Sequence, residues 1–597
     1  MKNVQTRLTV LAASVAALTM SLSLGAQAAS VGPADNSFYD YPTSIPEGNP
    51  GTLISYRFGS AKIGTTELAA KAYNVVYKST DSTDLENVVS GTVLVPNTAW
   101  TGGGARPVIL YAVGTQGLAG GCAPSRQLAN GSEYEGASIQ AALNAGYTVL
   151  VTDYAGYLNG DSATYLSGKS QGHAVLDIFR AAQSVPNSGV TASSKVGIWG
   201  FSQGGQSAAW AAEILKTYAP EINVVGVAAG GIPANFIDAA HKLDGDLGAA
   251  FLFSGVAGLN TQYPDTLNID LIASDVGLAA LDRLKSQCVF EALFENQNKS
   301  LTAFTKNNIG LDQILRITDI KNTLTEQNLG TTTPTVPMYL FHGLADEFIA
   351  TAQTVNLKNT YCQTNKNVYF DMYPSEHIVT QFQAATPALA WMADRFNGKA
   401  APSTCSNTAA APASTAIAGP DLQVKLDKWS LGGSLKLKTL GQTVTLPAGG
   451  SLTATANITK SKLDGTLVIP QFSQRISLIG INAQVGIKVT PLGNVTGTNS
   501  LDNAGVLHIK ASVPTDITVT SVWGVPFGAC KTVTPVIFPI TYDGPLASLG
   551  NGNLKFGGTV DFPQIKGCII SAIISGLMSG KGQGFEFIVA PPAPTKF

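Results

Sequence analysis

Two five-residue stretches of this sequence place a serine between two glycines. They read GKSQG from Gly168 and GFSQG from Gly200, so both fit the pattern Gly-x-Ser-x-Gly. In a nucleophile elbow this pattern follows a strand, turns sharply at the serine and continues into a helix. Ser202 has that context, because the apolar SKVGIW precedes it and the helix-forming GQSAAWAAEILKTYA follows it. Ser170 follows ATYLSGK, which is not a buried strand, and we interpret it as a chance match.

A nucleophilic serine needs a histidine base that is itself oriented by a carboxylate. Behind a nucleophile elbow the chain order is serine, acid, histidine, and each partner follows a strand. His377 alone meets both conditions, since it follows Ser202 and lies in MYPSEHIVT after the strand-like NVYFDMY. The chain's other histidines fail on order or setting: His173, His241, His342 and His508.

The acid is expected after the preceding strand, VPMYLFHG. There YLFHGLADEF offers Asp346 and Glu347 side by side. Asp346 comes first in the turn and is the preferred orienting acid, with Glu347 as the alternative. Its distance in sequence from His377, 377 minus 346 or 31 residues, leaves room for one helix and one strand.

Acyl transfer also needs donors aimed at the oxyanion of the tetrahedral intermediate. One is commonly the backbone N–H after the nucleophile, here that of Gln203, and the other comes from a loop after an early strand. The glycine-rich YAVGTQGLAGGC follows RPVIL, which makes Thr115 or Gln116 the second predicted donor. The alternative is a glycine-rich turn without chemical function.

The elements around these residues alternate between strand and helix. PVILYAVG, YTVLVTDY, KVGIWG, VVGVAAG, VPMYLFHG and NVYFDMY are typical of buried strands, with helical QGHAVLDIFRAAQSV and QSAAWAAEILKTYA between them. This order predicts an α/β fold, with a mostly parallel sheet covered by helices on both faces. From about residue 231 to 335 the alternation stops, and helical, loop-rich sequence predicts a substrate-covering cap.

The sequence changes character after residue 401. Residues 402–420, rich in Pro, Ala, Ser and Thr, predict a linker. Short alternating runs such as INAQVGIKV follow, bounded by Gly, Pro, Asn or Asp, and they indicate an all-β domain of sandwich or barrel type. The predicted layout is a signal peptide at 1–29, a catalytic domain at 30–401, the linker, and a sandwich-like β domain at 421–597.

The first residues indicate export. Lys2 and Arg7 precede an apolar run that ends in an Ala-Gln-Ala pattern, which predicts signal-peptidase cleavage near Ala28 or Ala29. An uncleaved membrane anchor is the alternative, although the apolar run is shorter than the roughly 20 residues that span a bilayer. We therefore expect a secreted protein, either released or held at the cell envelope.

Six cysteines are expected to pair in an oxidising compartment, and fifteen connectivities are open. The most economical scheme joins Cys530 to Cys568 within the tail and leaves the other four to pair upstream. No Cys-x-x-Cys motif or Cys/His cluster predicts a metal site, and no cofactor is implied. The upstream cysteines are Cys122, Cys288, Cys362 and Cys405.

The formal net charge of −2 conceals an uneven distribution. From Asp421 onward there are 14 Lys and Arg against 8 Asp and Glu, a net of +6, which leaves 23 minus 31, or −8, for residues 1–420. The basic tail predicts contact with an anionic lipid surface or cell envelope, and the alternative is a solvated sheet face with scattered lysines. The charge is not dense enough to indicate nucleic-acid binding.

Residues 35–405, with GFSQGG, HGLADEF, PSEH, GTQGLAGGCAPS and YAGY, resemble the secretory lipase family typified by Candida lipase A. The resemblance implies an α/β-hydrolase core under a helical cap and hydrolysis of acylglycerols and other esters. It also implies a triad of Ser202, Asp346 and His377. Its disulfides would join Cys122 to Cys288 and Cys362 to Cys405.

These observations predict a secreted serine ester hydrolase, with triacylglycerol lipase as the leading hypothesis. A short-chain or carbohydrate esterase and an acyltransferase are the rival enzymes, because chain-length preference depends on cap geometry. The alternative from another class of function is a hydrolase-like surface-binding protein in which the tail is the binding domain. The predicted partner is a lipid or other ester, and the sequence carries no prediction of oligomeric state.

Overall fold

The computed structural model describes residues 29–478, 480–502, 505–526, 528, 530–552 and 554–597. The predicted signal peptide, residues 1–29, lies outside these ranges except for its last residue. Within them the strands form two large sheets and one two-stranded hairpin. No described helix is both long and apolar enough to cross a membrane.

The first sheet carries the α/β part of the chain. Its spatial order is β1-β2-β5-β6-β8-β7-β9-β10-β11-β12-β27, with β7 to β12 all parallel to their neighbours in this group. Its strands, with the separate hairpin β3–β4, are β1 Ser30–Val31, β2 Leu53–Gly59, β3 Lys62–Ile63, β4 Thr66–Glu67, β5 Ala70–Thr80, β6 Glu86–Pro96, β7 Val108–Ala112, β8 Thr148–Ala155, β9 Val196–Phe201, β10 Val224–Gly230, β11 Met338–Gly343, β12 Val368–Tyr373 and, from the far end of the chain, β27 Thr595–Lys596.

The six central strands are those predicted from the apolar runs. Each is buried along nearly its whole length, as expected for parallel strands covered on both faces. The sequence patterns did not indicate β2, β5 and β6, which pair antiparallel at one side of the sheet. The helices outside the cap are α1 Pro124–Asn130, α2 Gly136–Asn144, α3 Gly168–Ala182, α4 Gln203–Tyr218, α12 Thr351–Tyr361, α13 His377–Gln383 and α14 Ala385–Phe396.

The predicted cap is helical, and it lies between β10 and β11. Its buried apolar side chains form two clusters separate from the core of the first sheet, and the larger one also includes residues beneath the cap such as Tyr157 and Tyr165. Its helices are α5 Phe236–Leu243, α6 Ala249–Gln262, α7 Pro264–Leu267, α8 Asp275–Leu284, α9 Val289–Asn296, α10 Leu311–Ile314 and α11 Thr318–Glu326. The fold class predicted from the sequence is therefore confirmed for this part of the chain.

The predicted linker, residues 402–420, contains no helix or strand in the structure. It lies along the first sheet, because the Thr404 N–H donates to the Val368 carbonyl and the Thr415 N–H to the Leu344 carbonyl. The domain limits drawn from composition stay predictions.

The tail folds as an antiparallel β domain, in which alternate residues are buried. Its elements are β13 Gln423–Leu437, β14 Gln442–Thr445, β15 Gly450–Asn457, β16 Lys462–Val468, β17 Phe472–Leu478, β18 Ile481–Pro491, β19 Val495–Leu501, β20 Val506–Val522, β21 Val525–Pro526, β22 Lys531–Thr532, β23 Val536–Pro545, β24 Leu554–Phe562, β25 Ile565–Lys566, β26 Gly580–Ala590 and the helix α15 Ser571–Met578.

The strands of this domain belong to one hydrogen-bonded sheet, which confirms an all-β domain, and its sandwich-like arrangement at 421–597 stays a prediction. The 17-residue β20 pairs with β18, β19 and β23, so a single long strand joins several parts of the sheet. The sheet curls until Phe538 on β23 contacts Phe585 and Phe587 on β26, with ring centroids 5.4 and 5.2 Å apart.

Candidate active site

Ser202 lies at the turn between β9 and α4. Its backbone has φ 59° and ψ −122°, a sparsely populated region that costs about 1–3 kcal/mol and persists only where the surroundings enforce it. A Cβ added at Gly200 would lie 2.2 Å from the Gly204 carbonyl oxygen, and one added at Gly204 would lie 2.0 Å from that of Ala112. Both glycines are therefore required by the close approach of backbone at the turn.

Ser170 has no such geometry. It lies in the first turn of α3 with its side chain buried, and its backbone N–H donates to Ser82 Oγ at 3.0 Å. The two Gly-x-Ser-x-Gly stretches thus differ as the sequence context predicted, since only the second follows a strand.

His377 and Asp346 form a short buried contact. His377 Nδ1 donates to Asp346 Oδ2 at 2.6 Å, while the backbone N–H groups of Phe348 and Ile349 donate to Asp346 Oδ1 at 3.0 and 2.8 Å. With Nδ1 engaged in this way, Nε2 is left as the acceptor in the neutral ring. His377 borders the same cavity as Ser202, whose hydroxyl makes no hydrogen bond among the described residues.

The charges of this pair stabilise each other. Burial alone would lower the pKa of His377, but the charge and hydrogen bond of Asp346 outweigh burial, and the histidine pKa is raised above its ordinary 6.5. Burial would likewise raise the pKa of Asp346, and the positive charge of His377 reverses this and holds it below 3.8. Protonation of His377 is therefore favoured at a higher pH than for a free histidine.

A second histidine, which sequence order had set aside, lies on the other side of Asp346. His342 Nε2 is 3.3 Å from Asp346 Oδ2 and donates to the Ile349 carbonyl at 3.0 Å, while Nδ1 accepts from Thr354 Oγ1 at 2.8 Å. It is fully buried, and burial lowers its pKa despite the nearby carboxylate. Because both ring nitrogens are already bonded, His342 has no free nitrogen to act as the base.

Two further carboxyls, Glu347 and Glu376, lie behind His377. Glu347 Oε2 accepts the His377 backbone N–H at 3.0 Å, and Glu376 Oε1 accepts that of Val379 at 3.1 Å as the N-cap of α13. Their other oxygens have no hydrogen-bond partner within the described part of the chain, and both residues border a cavity of about 50 Å³ whose other walls come mostly from the β domain. Burial raises the pKa of Glu347 to about 7 and that of Glu376 well above its usual range.

The loop after β7 contains the predicted second oxyanion donor. Among the described residues, the backbone N–H groups of Thr115 and Gln116 have no acceptor, and the loop begins beside the serine turn, where a Cβ at Gly114 would lie 3.3 Å from the Phe201 carbonyl oxygen. Gln203 is the first residue of α4, a position at which backbone N–H groups have no partner within the helix. All three predicted donors are thus available, and which of Thr115 and Gln116 acts stays a prediction.

This loop is held on several sides by groups that sequence patterns did not single out. Glu135 Oε1 accepts the Gly114 N–H at 2.5 Å, Tyr134 donates to the Thr115 carbonyl at 3.2 Å, and Tyr165 bonds the Thr115 hydroxyl at 2.8 Å. Burial raises the pKa of Glu135 to about 7, and it raises that of Glu133, bonded to Gln116 at 3.2 Å, to about 8. The loop is therefore fixed before substrate arrives.

A cavity of about 160 Å³ opens beside Ser202 and runs beneath the cap. Its walls come from α5, α6, α8, α10 and α11 and are almost wholly aliphatic or aromatic, apart from Tyr165, Ser202, Gln203, Thr305 and His377. Apolar lining residues include Phe236, Leu243, Phe253, Leu281, Leu311 and Phe348. Ser202 thus borders a pocket suited to an apolar chain.

The remaining histidines have other roles. His173 stacks on Tyr218 with ring centroids 3.9 Å apart and bonds the Thr80 carbonyl, His241 is on the cap surface 3.6 Å from Asp312, and His508 is in the β domain. None of them borders the cavity beside Ser202.

Three disulfides are present among the described residues, and they have the expected pairing. Cys122–Cys288 joins the start of α1 to the cap, Cys362–Cys405 ties the segment after α14 to the end of α12, and Cys530–Cys568 lies within the β domain. The first two agree with the resemblance stated above, and the third with the most economical scheme.

Comparisons with known proteins agree with this arrangement. A sequence profile described as secretory lipase matches residues 124–404. A secreted triacylglycerol lipase of Malassezia globosa is 31% identical over 387 residues, covering 62% of this chain and 79% of the relative. A probable inactive lipase of Mycobacterium tuberculosis is 28% identical over 378 residues, covering 62% of this chain and 83% of the relative. The X-ray structure of Candida antarctica lipase A has the same fold, with a TM-score of 0.56 at 23% identity over 64% of this chain and 90% of that one.

Proposed function

The chain belongs to the secretory lipase family, and on that premise we propose that it is a triacylglycerol lipase whose triad is Ser202, His377 and Asp346. It is a carboxylic ester hydrolase that acts outside the cell. The observation that carries the proposal is the apolar cavity under the cap, because Ser202 and His377 both border it. An acyl chain held there presents its ester carbonyl to the serine hydroxyl.

The contacts of the three side chains support the proposed roles. Asp346 fixes the His377 ring through the 2.6 Å bond to Nδ1, which leaves Nε2 to accept the Ser202 proton during attack. The carboxylate then stabilises the imidazolium that forms, which agrees with the raised pKa of His377. The released alcohol takes that proton, and His377 next deprotonates the water that frees the acyl group.

The negative oxygen of the tetrahedral intermediate is stabilised by backbone donors. We assign this role to the Gln203 N–H together with that of Thr115 or Gln116. Donors fixed in advance are worth about 2.7–4 kcal/mol each in acyl transfer, because they need no reorganisation when charge develops. The hydrogen bonds that hold residues 114–117 provide this fixed geometry.

The lining of the cavity favours a lipase over a carbohydrate esterase. Sugar hydroxyls need buried hydrogen-bonding partners, and unpaired polar groups in an apolar site are costly. Beyond Ser202 and His377, only Tyr165, Gln203 and Thr305 contribute polar side chains to the walls among the described residues. A long acyl chain gains free energy from these walls with every methylene it buries, roughly 0.8 kcal/mol each.

The proposal is tested by hydrolysis of p-nitrophenyl esters from acetate to palmitate and of an emulsified triacylglycerol. Ser202→Ala is expected to lower kcat by about 10⁴-fold or more. Ser170→Ala supplies the matched control, since it removes the same hydroxyl from the other Gly-x-Ser-x-Gly stretch and is expected to leave kcat unchanged.

Each outcome decides between the candidates. Ser202-dependent hydrolysis that extends to long chains supports the lipase, and activity confined to short chains would replace it with an esterase. Ester transfer to an added alcohol in preference to water would indicate an acyltransferase. No Ser202-dependent hydrolysis would contradict the proposal and would favour a hydrolase-like binding protein.

We also propose that residues 1–29 act as a signal peptide that is removed after Ala28 or Ala29 during export. The basic start, apolar run and Ala-Gln-Ala sequence support it. Amino-terminal sequencing of the secreted protein tests this point, and a mature protein that begins at Met1 would contradict it.

A further inference from the structure

The two ends of the β domain have different surroundings. β20 runs from Val506 to Val522, and 17 residues at about 3.3 Å each give it a length of roughly 55 Å along the chain. The Val506 end lies against the catalytic domain, because a Cβ at the adjacent Gly505 would lie 3.2 Å from Phe290 of the cap and 3.4 Å from Tyr134. The Val522 end therefore points away from the active site.

Five large apolar side chains are exposed at this far end. Ile569 is 99% exposed and Trp523 60%, and the other three are each more than half exposed. An isolated exposed apolar residue is ordinary on a protein surface, whereas a group of them marks an interaction site. We call this group the tip, and it consists of Ile481, Trp523, Val525, Ile569 and Ile573.

Hydrogen bonds and a disulfide bring the tip residues to one place. Trp523 Nε1 donates to the Asn482 carbonyl at 3.2 Å, which brings Trp523 close to Ile481. Val525 pairs with Val522 at the end of β20. The Cys530–Cys568 disulfide, with Cα atoms 4.8 Å apart, ties the segment after Val525 to the segment that begins at Ile569. The tip is therefore made of neighbouring turns on a fixed framework.

Net positive charge is concentrated in the same half of the domain, because few acidic residues lie there. The strand register divides the domain into a half beside Gly505 and a half beside the tip. The tip half has seven basic residues against two acidic ones, a net of +5, and the other half has six against six, a net of zero, when Lys596 is left out because β27 belongs to the first sheet. In the tip half the basic residues are Lys436, Lys438, Arg475, Lys488, Lys531, Lys566 and Lys581, and the acidic ones are Asp516 and Asp561.

We propose that the tip docks the protein on an anionic lipid surface, with its apolar side chains inserted at the head-group level and the surrounding lysines facing the lipid charges. Protruding turns that carry isoleucine, valine and tryptophan can enter a lipid interface, where tryptophan is favoured. Each basic residue near an anionic surface contributes about 1 kcal/mol of attraction. The tip acts independently of the catalytic residues. The docking proposal rests on the proposed function only in that a lipase works where lipid surfaces are present.

The test uses the full-length protein with Ser202→Ala, so that lipids are not hydrolysed during the measurement. Flotation is measured with vesicles of phosphatidylcholine and with equimolar phosphatidylcholine and phosphatidylglycerol. Binding is expected to be stronger to the anionic vesicles and to weaken as salt rises, since the Debye length shortens from about 10 Å at 0.1 M to 3 Å at 1 M. Trp523→Ser combined with Ile569→Ser is expected to lower the partition coefficient at least about tenfold.

Two controls separate docking from unfolding or general stickiness. Leu85→Ser removes a similarly exposed apolar side chain from the β5–β6 turn of the catalytic domain and is expected to leave flotation unchanged. Lipids with brominated chains quench tryptophan that enters the bilayer, so Trp523→Phe is expected to abolish quenching while flotation continues. A normal melting temperature of each variant shows that it folds.

The results distinguish this proposal from the proposed function. In the protein that retains Ser202, hydrolysis of soluble p-nitrophenyl butyrate is expected to be equal with and without the tip substitutions. Absent vesicle binding, binding indifferent to the tip substitutions, or retention by isolated cell-wall polymer alone would overturn docking and leave the lipase assignment intact. Loss of Ser202-dependent hydrolysis alone would overturn the lipase and leave docking intact.

Discussion

Each domain contains a histidine bonded through Nδ1 to an aspartate at 2.6 Å, and the two pairs differ only in their surroundings. His377 and Asp346 are buried beside the apolar cavity. His508 and Asp543 lie on neighbouring strands at the surface of the β domain. The pKa of each histidine is raised by its partner, but only His377 borders the cavity that Ser202 also borders. Chemical function thus comes from burial and neighbours, since the pair geometry is shared.

The same contrast extends to the domain interiors. Among the described residues, every buried aspartate, glutamate, lysine, arginine or histidine precedes residue 400, and the buried polar residues of the β domain are Asn499, Thr515, Thr532 and Gln583. Burying ionisable groups lowers stability, and proteins accept this cost mainly where function needs it. The pH sensitivity of the molecule is therefore expected in the catalytic domain.

The largest test of this contrast replaces the acid of each pair. Asp346→Asn is expected to lower kcat/KM by about 10⁴-fold, because the His377 ring loses the partner that fixes its tautomer. Asp543→Asn makes the same substitution in the exposed pair and is expected to leave kcat/KM unchanged. Both are measured with p-nitrophenyl butyrate, and a similar loss in the two variants would break the comparison.

Glycine substitutions probe the backbone of the two regions. Gly204→Ala is expected to lower kcat/KM by about 10²-fold or more, since its Cβ would lie 2.0 Å from the Ala112 carbonyl oxygen and would displace the serine turn. Gly557→Ala on β24, where the nearest atom would be 3.6 Å from the Cβ, is expected to leave activity and melting temperature nearly unchanged. Full activity of the Gly204 variant would show that the turn tolerates a side chain.

The melting temperature of the catalytic domain is expected to rise by a few degrees as the pH falls from 8 to 6.5. Glu133 (pKa about 8), Glu135 and Glu347 (about 7 each) and His377 hold protons in this window that the unfolded chain has released, so the folded state binds more protons and gains stability as the pH falls.

Two histidines limit this gain below pH 6.5. Burial lowers the pKa of His173 to about 4 and also lowers that of His342, so both oppose folding once the unfolded chain binds their protons. Calorimetry at a fixed scan rate checks the trend. A melting temperature that decreases as the pH is lowered from 8 to 6.5 would contradict the assignment of these buried groups.

The smallest expected effect concerns Glu347. Its negative charge contributes to the raised pKa of His377, so Glu347→Gln is expected to move the acid limb of the kcat/KM profile to lower pH. Glu586→Gln, an exposed change of equal charge on β26, is the control and is expected to leave the limb in place. A limb that moves to higher pH in the Glu347 variant would contradict the sign of this interaction.

The elements around Ser202 were predictable because their signals are local. A buried strand, two glycines and a helix are contiguous at 195–219, and the six central strands are continuous apolar runs. The disulfide pairing followed from the family resemblance and from economy in the tail. The curled β domain was predicted in class, and its strand pairing was not, because β20 pairs with strands on several sides.

The groups that the sequence did not reveal depend on distant packing. Glu133, Glu135, Glu347 and Glu376 look like ordinary surface carboxyls in sequence, and only the assembled fold buries them. His342 precedes Asp346 by four residues, yet the turn after β11 brings it within 3.3 Å. β27 is two residues long, too short for any alternation to indicate its pairing with β12.

The attachment of the cap to the oxyanion loop constrains how the pocket can open. The Cys122–Cys288 disulfide joins the cap to α1, and the Val289 N–H donates to the Gln116 carbonyl at 2.9 Å. A cap that lifted away as a unit would pull Gln116 out of position. Any opening that preserves the donors must therefore leave residues 288 and 289 in place, as the fixed corner of a lid.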